Sequence, residues 1–148
     1  MAADGGSPQD EEAIGAVMVR LARAFAGLSA DGVADLYTAD ADWTNAFGTT
    51  RTGGAQIAAY LTELFADPHF AAGRPLGPPR ADIRFLTPDV AVVKSYLERA
   101  GQQTADGATM AVRRNFSLKV FVRRPGGWRI ASDMYMDARD DSTLDPAR

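Results

Sequence analysis

The sequence contains no cysteine. Disulfides, thiolate nucleophiles and cysteine-ligated zinc or iron–sulfur clusters are therefore excluded together. Its single histidine, His69, rules out any site built on two imidazoles and weighs against a Ser-His-Asp triad. Lysine is scarce, with only Lys94 and Lys119. The 16 basic residues face 19 acidic ones, a net charge of −3. That balance gives no general attraction to phosphate backbones or anionic lipid, so neither nucleic acid nor membrane is an expected partner. No apolar run approaches the roughly 18 residues of a membrane span. The stretch Met1–Pro8 lacks the basic and apolar regions of a signal peptide, which predicts a cytoplasmic protein. Cofactor motifs are missing too. Gly48-Thr-Thr-Arg-Thr-Gly-Gly54 lacks the Gly-Lys-Ser/Thr end of a Walker loop, no Gly-x-Gly-x-x-Gly follows a strand, and the aspartates show no EF-hand spacing. No cofactor and no metal are expected.

What remains is ordinary for a globular protein: 148 residues, 46% hydrophobic, 24% charged and 9% aromatic. This length argues for one domain, read here as residues 8–138 between a disordered tail (1–7) and a polar tail (139–148). Ser7-Pro8-Gln9-Asp10 predicts a helix start, with Ser7 as N-cap and Pro8 in the first turn. Ile14, Val17, Met18, Leu21, Phe25 and Leu28 then recur on one helical face. A second, short helix is expected from Ser29 or Asp31 with Val33, Leu36 and Tyr37, followed by a strand at 40–47 and a tight return at 48–51. A third helix opens at Thr52-Gly53-Gly54, carries Ile57, Tyr60, Leu61, Leu64 and Phe65 on one face, and ends at Pro68. The segment 69–80 reads as an irregular loop, with His69 exposed in it. The period then changes to two, and four strands are expected at 81–86, 90–99, 109–123 and 128–137. Their short links predict an antiparallel meander. Helices first and long strands afterwards mean α+β, and a coiled sheet closed by three helices makes a cone whose mouth is a natural pocket.

The run from Ala34 to Gly48, Ala-Asp-Leu-Tyr-Thr-Ala-Asp-Ala-Asp-Trp-Thr-Asn-Ala-Phe-Gly, followed by Thr52-Gly-Gly-Ala-Gln-Ile-Ala-Ala-Tyr60, resembles the nuclear-transport-factor-2-like (SnoaL-like) superfamily. More narrowly, Thr44-Asn45-x-Phe47-Gly48, Leu64-Phe-Ala-Asp-Pro-His-Phe70, Pro88-Asp-Val-Ala-Val-Val93 and Gly127-Trp-Arg-Ile130 resemble the SgcJ/EcaC family of bacterial secondary metabolism, known from enediyne polyketide pathways. The resemblance spans about residues 10–137. It implies a cone-shaped α+β fold, three N-terminal helices on a strongly curved antiparallel or mixed sheet. The superfamily's steroid isomerases carry an acid base, a tyrosine and a protonated acid. Laid on this chain, those positions fall on Asn45, Leu21, and Lys119 or Leu118, so that mechanism is not expected. The Gln-Asn-Thr-like run common at the end of the family's last strand is replaced here by Asp133-Met134-Tyr135.

Asp133 and Tyr135 are the candidate catalytic residues. With Arg123 opposite Trp128 and an unbroken hairpin, Leu118 faces Asp133 and Phe116 faces Tyr135; apolar company would raise the acid's pKa and fit it for proton transfer. One bulge would instead put Lys119 opposite Asp133 and hold an ion pair. Candidate ligand contacts are Tyr37, Trp43, Phe47, Tyr60 and Leu64 as wall, and Asn45 as an orienting amide. Arg113 and Asn115 share one face of their strand, where the guanidinium could hold a carboxylate or thioester-linked carbonyl. Phe116, Leu118, Val120 and Val122 with Ile130, Met134 and Met136 suggest a sheet apolar on both sides, hence a homodimer through the sheet. The expected function is binding of a hydrophobic, polyketide- or enediyne-type intermediate, with help in cyclisation or isomerisation. The alternatives are a non-catalytic sequestration or self-resistance module and a cofactor-independent oxygenase or cyclase.

Overall fold

The computed structural model describes residues 5–144; the parts of the two expected tails at 1–4 and 145–148 lie outside the described residues. Helix α1 (Pro8–Gly27) begins as its sequence requires. Ser7 Oγ accepts the Asp10 N–H, and the Asp10 carboxylate accepts the Ser7 N–H, a reciprocal capping box. Ile14, Leu21 and Ala24 are buried, and the helix stops at Leu28, which takes a left-handed conformation.

The second helix is only a 3-10 turn, Val33–Leu36. Tyr37 belongs to strand β1 (Tyr37–Thr44), where it pairs with Ile130, so the strand starts earlier than its alternation suggests. Strand β2 (Thr50–Thr52) returns antiparallel, and α2 (Gly53–Ala66) follows at once. Two glycines make that junction possible. Gly53 has φ +81°, and a Cβ at Gly54 would stand 2.2 Å from the Ala34 carbonyl oxygen.

Pro68 does not merely end α2; it opens a further turn of helix, α3 (Pro68–Ala71), because the Asp67 carboxylate caps the N–H groups of His69 and Phe70. The segment read as irregular therefore holds α3 and a short strand β3 (Arg74–Pro75). His69 is half-buried rather than exposed, with Nδ1 3.2 Å from Gln103 Oε1.

Strands β4 (Arg80–Thr87), β5 (Val90–Ala100), β6 (Arg113–Arg124) and β7 (Gly127–Asp137) form the expected antiparallel meander. β6 starts at Arg113 rather than Thr109, which makes only an isolated bridge to Gln103. β1 then adds to β7 in parallel, so the seven-stranded sheet is mixed, with order β2-β1-β7-β6-β5-β3 and β4 also on β5. No helix among the described residues is long and apolar enough to cross a membrane.

One irregularity decides what the sheet shows to its interior. Arg123 lies opposite Trp128 and Phe121 opposite Ile130, but Val120 lies opposite Ser132, leaving Ala131 as an extra residue. The bulge reverses the side-chain parity of the rest of β7. Trp128, Ile130 and Asp133 are all buried, while Met134 and Met136 are exposed. Asp133 therefore faces Lys119, and Tyr135 faces Ser117. The unbroken register with Leu118 and Phe116 as neighbours is not formed, and Ile130 leaves the outer apolar set for the core. Leu118, Met134 and Met136 remain on the outer face, each more than half exposed.

Candidate functional site

Between α1, α2 and the inner face of the sheet lies a cavity of about 660 Å³, within the size range of small-molecule sites. Met18, Leu21 and Phe25 of α1 form one wall; Leu64 and Tyr60 of α2 and Ile83 and Leu97 of the sheet form others. Trp43 lies beneath, its ring centroid 5.2 Å from Tyr60 and 6.1 Å from Tyr135. It is 2% exposed, and its Nε1 has no hydrogen-bond partner among the described residues.

The inner face of β6 carries Arg113, Asn115, Ser117 and Lys119 at every second residue, which sets a series of rungs from mouth to floor. At the floor, Lys119 (2% exposed) lies 3.1 Å, Nζ to Oδ1, from Asp133 (0%) behind it. That contact lacks hydrogen-bond geometry at Oδ1. The other carboxylate oxygen accepts from the hydroxyls of Tyr37 (2.8 Å) and Tyr135 (3.2 Å). The ammonium donates to Ser117 Oγ (2.8 Å) and to the Tyr135 hydroxyl (3.3 Å), and lies 4.4 Å from the Tyr135 ring centre. Ser117 is in turn bonded to Ser95.

Burial pushes the Asp133 pKa up, and the neighbouring ammonium and the tyrosine hydroxyls partly oppose the rise. Burial, reinforced by the Asp133 carboxylate, also holds the Tyr37 and Tyr135 hydroxyls well above their ordinary pKa, so both remain proton donors. Lys119 and Tyr135 line the cavity; Asp133 and Tyr37 do not. Asp133 thus stands behind the floor as the acceptor that orients Tyr135, out of reach of a guest. Tyr37, expected as wall, has its hydroxyl turned to Asp133 and is 1% exposed.

Nearer the opening, Asn45 does two things at once. Its Oδ1 accepts the Phe47 and Thr49 N–H groups, closing the turn after β1, while Nδ2 donates to the Tyr60 hydroxyl (3.1 Å). Phe47 is 63% exposed and lies at the rim, under the Arg113 guanidinium at 4.8 Å. Arg113 is already engaged. It makes a two-pronged pair with Asp137 (3.0 and 3.1 Å) and donates to Gln102 Oε1 (2.8 Å). Asn115 donates to the same Asp137 (3.0 Å).

The structure thus brings Trp43, Asn45, Phe47, Tyr60, Leu64, Arg113, Asn115 and Tyr135 around one hollow. Among the lining residues outside the predicted set are three cationic ones, Arg23, Arg99 and Lys119. Arg99 had a signal, since Val93, Ser95, Leu97 and Arg99 alternate along β5, but inward and outward could not be assigned before the sheet's curvature was known.

A family model described as SnoaL-like domain matches residues 7–132. No curated protein matches the sequence significantly. Among solved structures, the chain is similar to an uncharacterised protein with a cystatin-like fold from Caulobacter vibrioides (22% identity, covering 90% of this chain and 92% of that one, TM-score 0.79). It is also similar to a proposed dehydratase of the NTF2-like family from Streptomyces avermitilis (13%, 90% and 99%, TM-score 0.71). The crystal structure of LinA is a further neighbour (15%, 93% and 95%, TM-score 0.72). At these identities the likeness shows a shared fold, and fold alone does not carry an activity.

Proposed function

The chain belongs to the SnoaL-like domain family, and from that membership together with the shape of its interior we propose that it binds a flat, largely apolar carbonyl compound of bacterial secondary metabolism, of the polyketide type. The observation that carries this reading is the hollow of about 660 Å³, greasy along its walls and ending on the paired Tyr135 and Lys119. A carbonyl oxygen reaching that floor meets the buried ammonium of Lys119 and, beside it, the Tyr135 hydroxyl, whose single proton turns from Asp133 to the guest as the oxygen arrives. Both stabilise negative charge developing on oxygen, as in enolate formation before a cyclisation. Asp133 acts through Tyr135, as a positioning residue. The resemblance of Thr44–Gly48 and Leu64–Phe70 to the SgcJ/EcaC family supports the choice of compound class.

A second reading, sequestration without turnover, is favoured by a specific feature: the floor's hydroxyls, ammonium and carboxylate partner one another, and among the described residues no carboxylate lines the cavity as a free base. The exposed apolar strip Leu118–Met134–Met136 supports a homodimer through the outer face of the sheet.

Anthraquinone, a neutral planar diketone, serves as the probe. It should quench the fluorescence of Trp43 saturably, and Leu64→Trp, which fills the hollow, should abolish the effect while the far-UV circular dichroism is unchanged. Quenching that survives Leu64→Trp would overturn the assignment of the site. Tyr135→Phe separates the two readings, because binding should persist in both and any turnover of a pathway substrate should be lost only in the first.

A further inference from the structure

The charges around the cavity are all of one sign. Arg23, Arg99, Arg113 and Lys119 line it, and among the described residues no aspartate or glutamate does. Lys119 is neutralised from behind by Asp133, and Arg113 by Asp137. Arg99 has no carboxylate partner among the described residues, although it is only 6% exposed. Its Nη2 donates to the carbonyls of Phe70 (3.3 Å) and Gly73 (3.0 Å), the face of Phe70 lies 4.2 Å from the guanidinium, and Nε is buried with no partner. Nη1 makes no hydrogen bond among the described residues. Backbone carbonyls and a ring face solvate this cation only in part, and arginine does not escape the cost of burial by losing its proton. Arg113 lies directly across the ladder from Arg99, and the carboxylate of Asp137 pairs with Arg113 and leaves Arg99 without one. This end of the hollow holds a net positive charge in a low-dielectric wall.

Resting on the cavity reading above, we propose that Arg99 is the counter-ion for a carboxylate carried by the bound molecule, which makes the ligand an amphipathic organic acid rather than a neutral ring system. The acid group sits under the α3–β3 segment against Arg99, and the apolar body runs down the rungs of β5 and β6 towards Tyr135. Arg99 lies across from Arg113, and Tyr135 from Ser117, so the two ends are two rungs apart, about 13 Å along the strands. The loop is shaped for this cation: a Cβ at Gly73 would stand 2.9 Å from Arg99 Nε. Arg113, whose guanidinium Asp137 already holds, contributes field rather than a free pair of donors.

The test compares anthraquinone-2-carboxylic acid with its methyl ester at neutral pH, by fluorescence titration of the full chain. The two share a ring system and differ in the charge. The acid should bind at least about tenfold more tightly than the ester, the margin of a charge-assisted contact. Arg99→Gln should erase that margin by weakening the acid and leaving the ester alone, and Arg99→Lys should keep most of it. Because Arg99 also ties down two loop carbonyls, a thermal melt of Arg99→Gln checks its fold, and if it is unfolded the wild-type and Arg99→Lys comparisons decide the matter. Equal binding of acid and ester by the wild type overturns the carboxylate subsite and leaves the cavity reading standing. Equal weakening of both ligands by Arg99→Gln, with the fold intact, also overturns it, since a merely structural role gives that result. If neither compound binds, the cavity reading fails and the subsite with it.

Discussion

At the scale of single residues, the buried Lys119–Asp133 pair is the feature most exposed to test. Removing either partner leaves the other charged and dry. Lys119→Met and Asp133→Asn should each lower unfolding free energy by about 3–5 kcal/mol in urea titrations. The double variant should lose far less than the sum, because its Asn still accepts the tyrosine hydroxyls and no charge remains. The sign of the pH effect follows from the raised pKa of Asp133. The unfolded chain releases this proton near the ordinary 3.8 and the folded chain only at higher pH. Its contribution to stability is therefore full below that value and is lost as pH rises through the folded one. Asp133→Asn should remove that component from a stability-against-pH curve. In the sequence, Asp133 and Tyr135 stand out as inward candidates, yet their neighbours hang on one extra residue. Nothing in the side chains of Ala131 and Ser132 announces a bulge, so the pairings with Leu118 and with Lys119 both stay open until the register is seen.

Among elements, α1 is held to the β6–β7 hairpin by Asp10. Besides capping the helix, its carboxylate accepts from Trp128 Nε1 (3.0 Å) and pairs with Arg123 Nη2 (2.9 Å). The Arg123 contact, with these hydrogen bonds, holds the Asp10 pKa well below the ordinary 3.8. The stabilisation it gives is present above that value and is lost as pH falls through the folded one. Asp10→Asn should flatten the acid limb of the unfolding midpoint plotted against pH. The helix α2 gives a second test. Gly54→Ala pushes a methyl group into the Ala34 carbonyl and should cost about 1–3 kcal/mol, whereas Gly15→Ala, with open space around it inside α1, should gain about 0.5–1 kcal/mol in the same denaturation assay. The long helices and the four-strand meander are readable from periodicity and caps. A short second helix is readable too, though not that it is a 3-10 turn; α3 and β3 are not, because two to four residues are too few to show a period and tertiary contacts decide them.

For the molecule as a whole, the proposed dimer and the proposed guest draw on opposite faces of the sheet, outer and inner. Leu118→Lys with Met134→Glu should convert a dimer to a monomer in sedimentation velocity while anthraquinone binding is retained, since both side chains point away from the hollow. The hollow itself is foreshadowed by the order of elements, helices before a long coiled sheet. Its electrostatic character is not, because the acids that neutralise Lys119 and Arg113 come from β7 and only the folded sheet shows that Arg99 is left over. The extra residue Ala131 has one more consequence. In a relative that lacks it, the inward positions of the second half of the strand lie one residue closer to the turn than in this chain. Correspondences between the two must then be counted back from Asp137, because counting forward from the Pro125–Gly127 turn would match each inward side chain with an outward one.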